Sequence, residues 1–131
     1  MTFDHRQFKD NIVLFIVTYR FLETTQYAIN NILKVLDRRD DISIVIIDNN
    51  SEQVIQDYLK TIVHPRVDLF FLPLNIGKAL AVNYYIRDFI KQDNYPSVVM
   101  SLDPDTVFSL DDFDYLVEAI NNIPNSGMFG M

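Results

Sequence analysis

Asp103-Pro104-Asp105, two carboxylates held one proline apart, is the strongest chemical signal in the chain. The pair follows 98–102, a run of β-branched and apolar residues of the kind that packs on both faces of a buried strand. Proline cannot continue a central strand, so both carboxylates are presented at its C-terminal tip. In open α/β sheets that edge is where ligands bind. Two hard oxygen donors there suit Mg²⁺ or Mn²⁺, and such an ion suits a diphosphate. Asp and Pro are also common turn formers, and the same triplet can simply end a strand. The choice rests on what else converges on that edge.

Three further groups follow apolar runs in the same way. Thr18 and Tyr19 come after 12–17. Asp48 comes after 42–47, where a carboxylate can accept the imide N–H of a uracil or thymine ring, or favour the start of the next helix. After 67–72 comes Asn75-x-Gly77-x-Ala79-x-Ala81-x-Asn83. Gly77 permits positive φ or a close backbone approach. Ala79 and Ala81 keep the first helical turn thin, and a helix N-terminus attracts anions. Other polar residues read as structural. Lys78 is a solvated lysine, Asn50 and Ser51 are capping residues, and Asp111, Asp112 and Asp114 are first-turn acids worth ~0.3–1 kcal/mol to a helix. His5 and His64 lack metal-ligand spacing.

These groups need a scaffold that brings strand ends together. Between the runs lie amphipathic segments: Ile29, Ile32, Leu33 and Leu36 on a helix over 24–36, and Val54, Ile55, Tyr58, Leu59 and Ile62 behind an N-cap at Ser51. Val82, Ile86, Phe89 and Ile90 face inward on a helix over 79–91. Phe113, Leu116, Val117 and Ile120 line a helix begun by the capping box at Ser109 to Asp112. The residues 38–41 read as a solvated turn, 1–11 as a polar lead-in, and 127–131 as the opening of another strand. Alternating strands and helices joined by short loops give a mainly parallel sheet with helices on both faces. Right-handed crossovers then place every strand's C-terminal end on one rim.

Composition narrows the class. The chain has 131 residues, 49% hydrophobic and 22% charged, which fits a single α/β domain with a real core. A net charge of −7 argues against nucleic acid or an anionic membrane as partner. With no cysteine there is no disulfide, thiol nucleophile or cysteine-based zinc site. No apolar run approaches the ~20 residues that span a bilayer, and no signal peptide is evident. The expected location is cytoplasmic.

Val17-Thr18-Tyr19-Arg20, Ile47-Asp48-Asn49-Asn50-Ser51, Asn75 to Asn83 and Leu102-Asp103-Pro104-Asp105, in that order, resemble the family-two glycosyltransferases over 12–131. The resemblance implies a Rossmann-like GT-A fold, here cut short, with 1–131 as the nucleotide-sugar (donor) domain. It implies that Thr18 and Tyr19 lie along base and ribose, that Asp48 accepts the base N–H, and that Asn75 and Gly77 flank the nucleotide, with Asn83 in the same motif. Asp103 would contact the ribose or a metal-bound water, and Asp105 would ligate Mg²⁺ or Mn²⁺. The implied partners are a nucleoside diphosphate sugar and a glycan or other hydroxyl acceptor, the implied reaction inverting transfer. Two departures stand out. The family's Ser-x-Asp is not matched by Ser51-Glu52-Gln53-Val54, and no residue can be assigned as general base, which belongs to an acceptor-binding half not found here. A domain cut at that boundary is expected to self-associate through exposed apolar surface. The alternatives are a non-catalytic nucleotide-sugar-binding module and a haloacid-dehalogenase-type phosphatase fragment with Asp103 as nucleophile.

Overall fold

The computed structural model describes residues 12–89, 96 and 98–122. Its centre is β1, Ile12–Thr18, seven residues that are all buried. Odd and even positions of a strand face opposite sides of the sheet. Here both sets are apolar, so β1 requires cover above and below. Strand β2, Ile42–Asp48, has the same character, while β3, Val67–Phe71, and β4, Val98–Leu102, are half-buried. The sheet is parallel throughout, in the order β3-β2-β1-β4.

The faces follow from the topology. Helices α1, Leu22–Arg38, and α2, Gln53–Lys60, carry the chain from β1 outward to β3. Their buried residues Ala28, Ile29, Ile32, Val35, Leu36, Ile55 and Leu59 pack on Ile12, Leu14, Ile16, Ile42, Ile44 and Ile46. To return past β2 and β1 with the same handedness, the next crossover must pass over the opposite face. Helix α3, Lys78–Phe89, does so, placing Ala81 and Tyr85 on Val13, Phe15, Val17, Val45 and Ile47. Helix α4, Leu110–Asn122, rejoins the first face through Phe113 and Val117. Each fully buried aliphatic side chain contributes about 1.5–3 kcal/mol, so this two-sided core fixes the positions of the strand ends. No helix among the described residues is long and apolar enough to cross a membrane.

Most sequence-derived boundaries hold within two residues, and some residue assignments change. Ser51 does not cap α2. Glu52 occupies the cap position without a side-chain bond, and Ser51 Oγ instead accepts the Arg20 N–H at 3.2 Å. Val54 is exposed rather than inward. On α3 the fully buried positions are Ala81 and Tyr85, with Val82 and Ile86 beside them. Residues 38–41 lie at the surface, as expected of a solvated turn, but they are tied down by ion pairs. Arg38 ends α1 and pairs with Asp111 and Asp114, while Arg39 pairs with Asp41 and Asp114. The capping box is real: Asp112 N–H donates to Ser109 Oγ, and Ser109 N–H to the Asp112 carboxylate. The lead-in 1–11, the Phe89 side chain, Ile90 and the strand expected at 127–131 lie outside the described residues.

Candidate functional site

The strand order reverses at β1: the chain runs outward through β2 to β3 over one face, then returns over the other face to place β4 on the far side of β1. A crevice outside the C-terminal ends of the strands at such a switch point is the usual ligand site of an open α/β sheet. In register, Thr18 lies opposite Asp48, Asp48 opposite Phe71, and Leu102 opposite Ile16. Thr18, Asp48 and Asp103 therefore leave the sheet within about one residue of a common level.

Beyond β4, Thr106 N–H donates to the Asp103 carbonyl at 3.0 Å. This closes a β-turn with Pro104 at the position that favours proline's fixed φ. Both carboxylates sit on that turn. Asp103 is half-exposed and forms an ion pair with Lys78, the first residue of α3, which is thus not merely solvated. Asp105 is exposed and has no hydrogen-bond or ion-pair partner among the described residues. Among those residues no group of three or more acids, histidines or cysteines is placed to hold a metal alone.

Asp48 is 1% exposed. Its Oδ1 accepts the Thr18 hydroxyl at 2.9 Å, and its Oδ2 accepts Ser51 N–H at 2.9 Å and Gln56 Nε2 at 3.2 Å. A carboxylate offers about four lone-pair sites, so one, on Oδ1, is left by these bonds. Asn49 and Asn75 join this strand end to the loop before α3. Asn49 donates to Asn75 Oδ1 at 2.8 Å and accepts Ile76 N–H at 2.9 Å, and Asn75 Oδ1 also accepts Gly77 N–H at 3.0 Å. Gly77 has φ +84°, and a Cβ there would meet nothing within 4 Å. The glycine is required by the backbone conformation, not by crowding.

Three other residues of this rim hold left-handed backbone without being glycine: Arg20, Phe21 and Asn50. Such conformations cost on the order of 1–3 kcal/mol each and collect at functional loops. They turn the chain sharply out of β1 and β2, leaving Tyr19 and Phe21 on the surface with the Arg20 guanidinium 5.0 Å from the Tyr19 ring centroid.

Thr18, Tyr19, Asp48, Asn75, Gly77, Asp103 and Asp105 thus share one edge of the sheet. Asn83 does not sit with them: it is exposed on α3, five residues past Lys78 or about 7.5 Å along the helix axis. Asp111 and Asp114 are bound to Arg38 and Arg39 at the opposite edge, where Arg66 also holds the carbonyls of Leu36, Arg39 and Ile42. The hydrogen bond from Arg39 holds the Asp41 carboxyl below the usual carboxylate range. Sequence reasoning placed Asn49 beside Asp48 among the strand-end groups without giving it a role of its own, and it left out Gln56. A polar residue directly after a buried strand end was the available signal for Asn49, and Gln56 gave none.

The family described as glycosyl transferase family 2 matches residues 13–130. Among solved structures, a mannosyltransferase from Pyrobaculum calidifontis in complex with GDP-Man and Mn²⁺ superposes with a TM-score of 0.70 at 20% identity, over 93% of this chain and 35% of that one. TarS 1–349 from S. aureus in complex with UDP-GlcNAc gives 0.58 at 15% identity, over 92% and 37%. The chain spans about a third of the length of these structures. No sequence among curated proteins matches it.

Proposed function

Because the chain belongs to glycosyl transferase family 2 and has the GT-A fold, we propose that the rim is a donor site for a nucleoside diphosphate sugar, with residues 1–131 forming the donor domain of an inverting transferase. The observation that carries this reading is the convergence of Thr18, Tyr19, Asp48, Asn75, Gly77 and the Asp103–Asp105 turn on one edge, at the switch point of a parallel sheet. Support also comes from the two structural relatives, one holding GDP-Man with Mn²⁺ and the other UDP-GlcNAc.

The nucleoside lies against the β1 and β2 ends. Tyr19 offers an exposed ring, the Thr18–Asp48 pair a polar floor, and the loop of Asn75 and Gly77 a wall. The diphosphate extends toward β4, with Asn83 further out on α3 flanking the sugar side. The donor set at the turn fits Mg²⁺ or Mn²⁺, which take one or two carboxylates and complete an octahedron with substrate phosphates and waters. Asp105 is free for this role, and Asp103 becomes so on release from Lys78. When bound, such an ion supplies Lewis-acid neutralisation of the leaving nucleoside diphosphate. Asp103 and Asp105 hold and orient it. The acceptor, a glycan or other hydroxyl compound, and the base that deprotonates it are assigned to no residue of this chain.

Asp105→Asn tests the reading. The change keeps shape and removes a charge from the metal shell. Calorimetry should show GDP or UDP bound by the wild type with Mn²⁺, weakened by EDTA, and at least tenfold weaker binding by the variant with Mn²⁺ present. Equal metal-dependent binding by both would remove Asp105 from the site.

A further inference from the structure

The rim is built from separate loops on opposite faces of the sheet, and something must hold them in one geometry. The backbone does so between strands: Asn49 N–H donates to the Thr18 carbonyl at 2.8 Å, and Leu72 N–H to the Asp48 carbonyl at 2.9 Å. Among the described residues no backbone bond of that kind reaches the loop between β3 and α3, which leaves the sheet at Leu72 and must enter α3 on the other face. The connection there is made by side chains. Asn49, 3% exposed, donates through Nδ2 to Asn75 Oδ1 and accepts Ile76 N–H on Oδ1. Asn75 Oδ1 passes the hold onward to Gly77 N–H, at the residue whose positive φ turns the chain into α3. Lys78, next in the chain, pairs with Asp103 on the turn after β4. One buried amide therefore stands at the head of a chain of contacts that runs from β2 to the carboxylate turn of β4.

We infer that Asn49 is a positioning residue for the donor site: its amide fixes the loop of Asn75 to Gly77 and, through it, the start of α3 against the Asp103–Asp105 turn. The inference rests on the donor-site reading above. It does not require Asn49 to touch the ligand. An amide suits the task because it offers a donor and an acceptor on one planar group. An aspartate would keep the acceptor for Ile76 and lose the donor to Asn75, while an alanine would lose both.

The test uses the full 131-residue chain, uniformly ¹⁵N-labelled, with amide exchange and nucleotide titration on the same samples. In Asn49→Ala, the Ile76 and Gly77 amides should exchange about tenfold faster or more. Ile44 to Ile47 in β2 should keep their protection, which shows that the sheet is intact. GDP or UDP affinity with Mn²⁺ should fall about tenfold, the effect of one lost hydrogen bond that leaves a partner unsatisfied. In Asn49→Asp, Ile76 should stay protected and only Gly77 should exchange faster, a split that general destabilisation would not produce. Unchanged exchange at Ile76 in Asn49→Ala overturns the inference. So does a loosened loop with undiminished nucleotide affinity. If the wild type binds neither nucleotide, the donor-site reading fails and this inference with it; that result is distinct, because the loosened loop would still register in the exchange data.

Discussion

Replacing Asp48 measures how much of the rim depends on one buried carboxylate. Asp48→Asn preserves the shape. The amide oxygen can remain toward Ser51 N–H and Gln56 Nε2, and the new NH₂ can donate to Thr18 Oγ, whose hydroxyl rotates to accept. What is lost is the negative charge behind each bond. Bonds to charged groups contribute about 1.5–3 kcal/mol and neutral ones about 0.5–1.5. The two bonds that keep an oxygen acceptor, from Ser51 and Gln56, weakened by about 1 kcal/mol each, give a destabilisation of about 2 kcal/mol. For a domain of this size that lowers Tm by roughly 8 °C. Asp48→Ala should cost more, about 3 kcal/mol or above, because Ser51 N–H loses its acceptor inside the fold. Gln56 is partly protected by its second bond to the Ser51 carbonyl. Urea denaturation followed by far-UV circular dichroism provides both numbers. An Asp48→Asn protein within about 0.5 kcal/mol of wild type would show that the carboxylate is not the organiser of the β1 and β2 ends, and the argument for a preformed rim would fail with it.

Gly77→Ala should lose about 1 kcal/mol in urea denaturation, all of it from holding a side-chain residue at φ +84°, since the added Cβ meets no neighbour; an unchanged stability would mean that the turn into α3 relaxes freely. Tyr85 is fully buried against Phe15 and Phe70 and donates to Asp68 Oδ2 at 2.6 Å. Burial, followed by that bond to Asp68, pushes its phenol pKa far above the ordinary 10.0. A group raised in the folded state contributes stability that is complete below the unfolded pKa and is lost as pH rises beyond it. Stability should therefore decline above about pH 10 in the wild type, and less steeply in Tyr85→Phe; parallel curves would contradict the assignment.

What the sequence disclosed and what it concealed differ in range. Ile12 to Val17 and Ile42 to Ile47 are continuous apolar runs of strand length, rich in β-branched residues, which favours a doubly covered strand over a buried helix segment. The order of strands and helices then dictated that the polar residues after each run share an edge. The interactions between those residues were not legible. That Thr18 faces Asp48 is a matter of register between distant strands, which local pattern does not encode. Ser51 has the residue type of a cap, but the left-handed turn at Asn50 carries its hydroxyl to Arg20 instead. Tyr85 was overlooked for a related reason. Its ring is core, yet the hydroxyl suits a surface position unless a partner such as Asp68 lies within reach. Arg38 and Arg39 looked solvated because Asp111 and Asp114, which hold them alongside the local Arg39–Asp41 pair, lie more than seventy residues away in sequence.

Paramagnetic broadening by Mn²⁺ in the presence of GDP or UDP tests the central claim most directly, because it reports where the ion and the diphosphate meet. On the ¹⁵N-labelled chain, the amide signals of Asp103, Asp105 and Thr106 should vanish first, followed by those of Gly77, Lys78 and Thr18. The effect should require nucleotide and Mn²⁺ together and should reverse with EDTA. Broadening centred on Asp41 and Asp114 at the opposite edge, or none at the Asp103–Asp105 turn, would contradict the account.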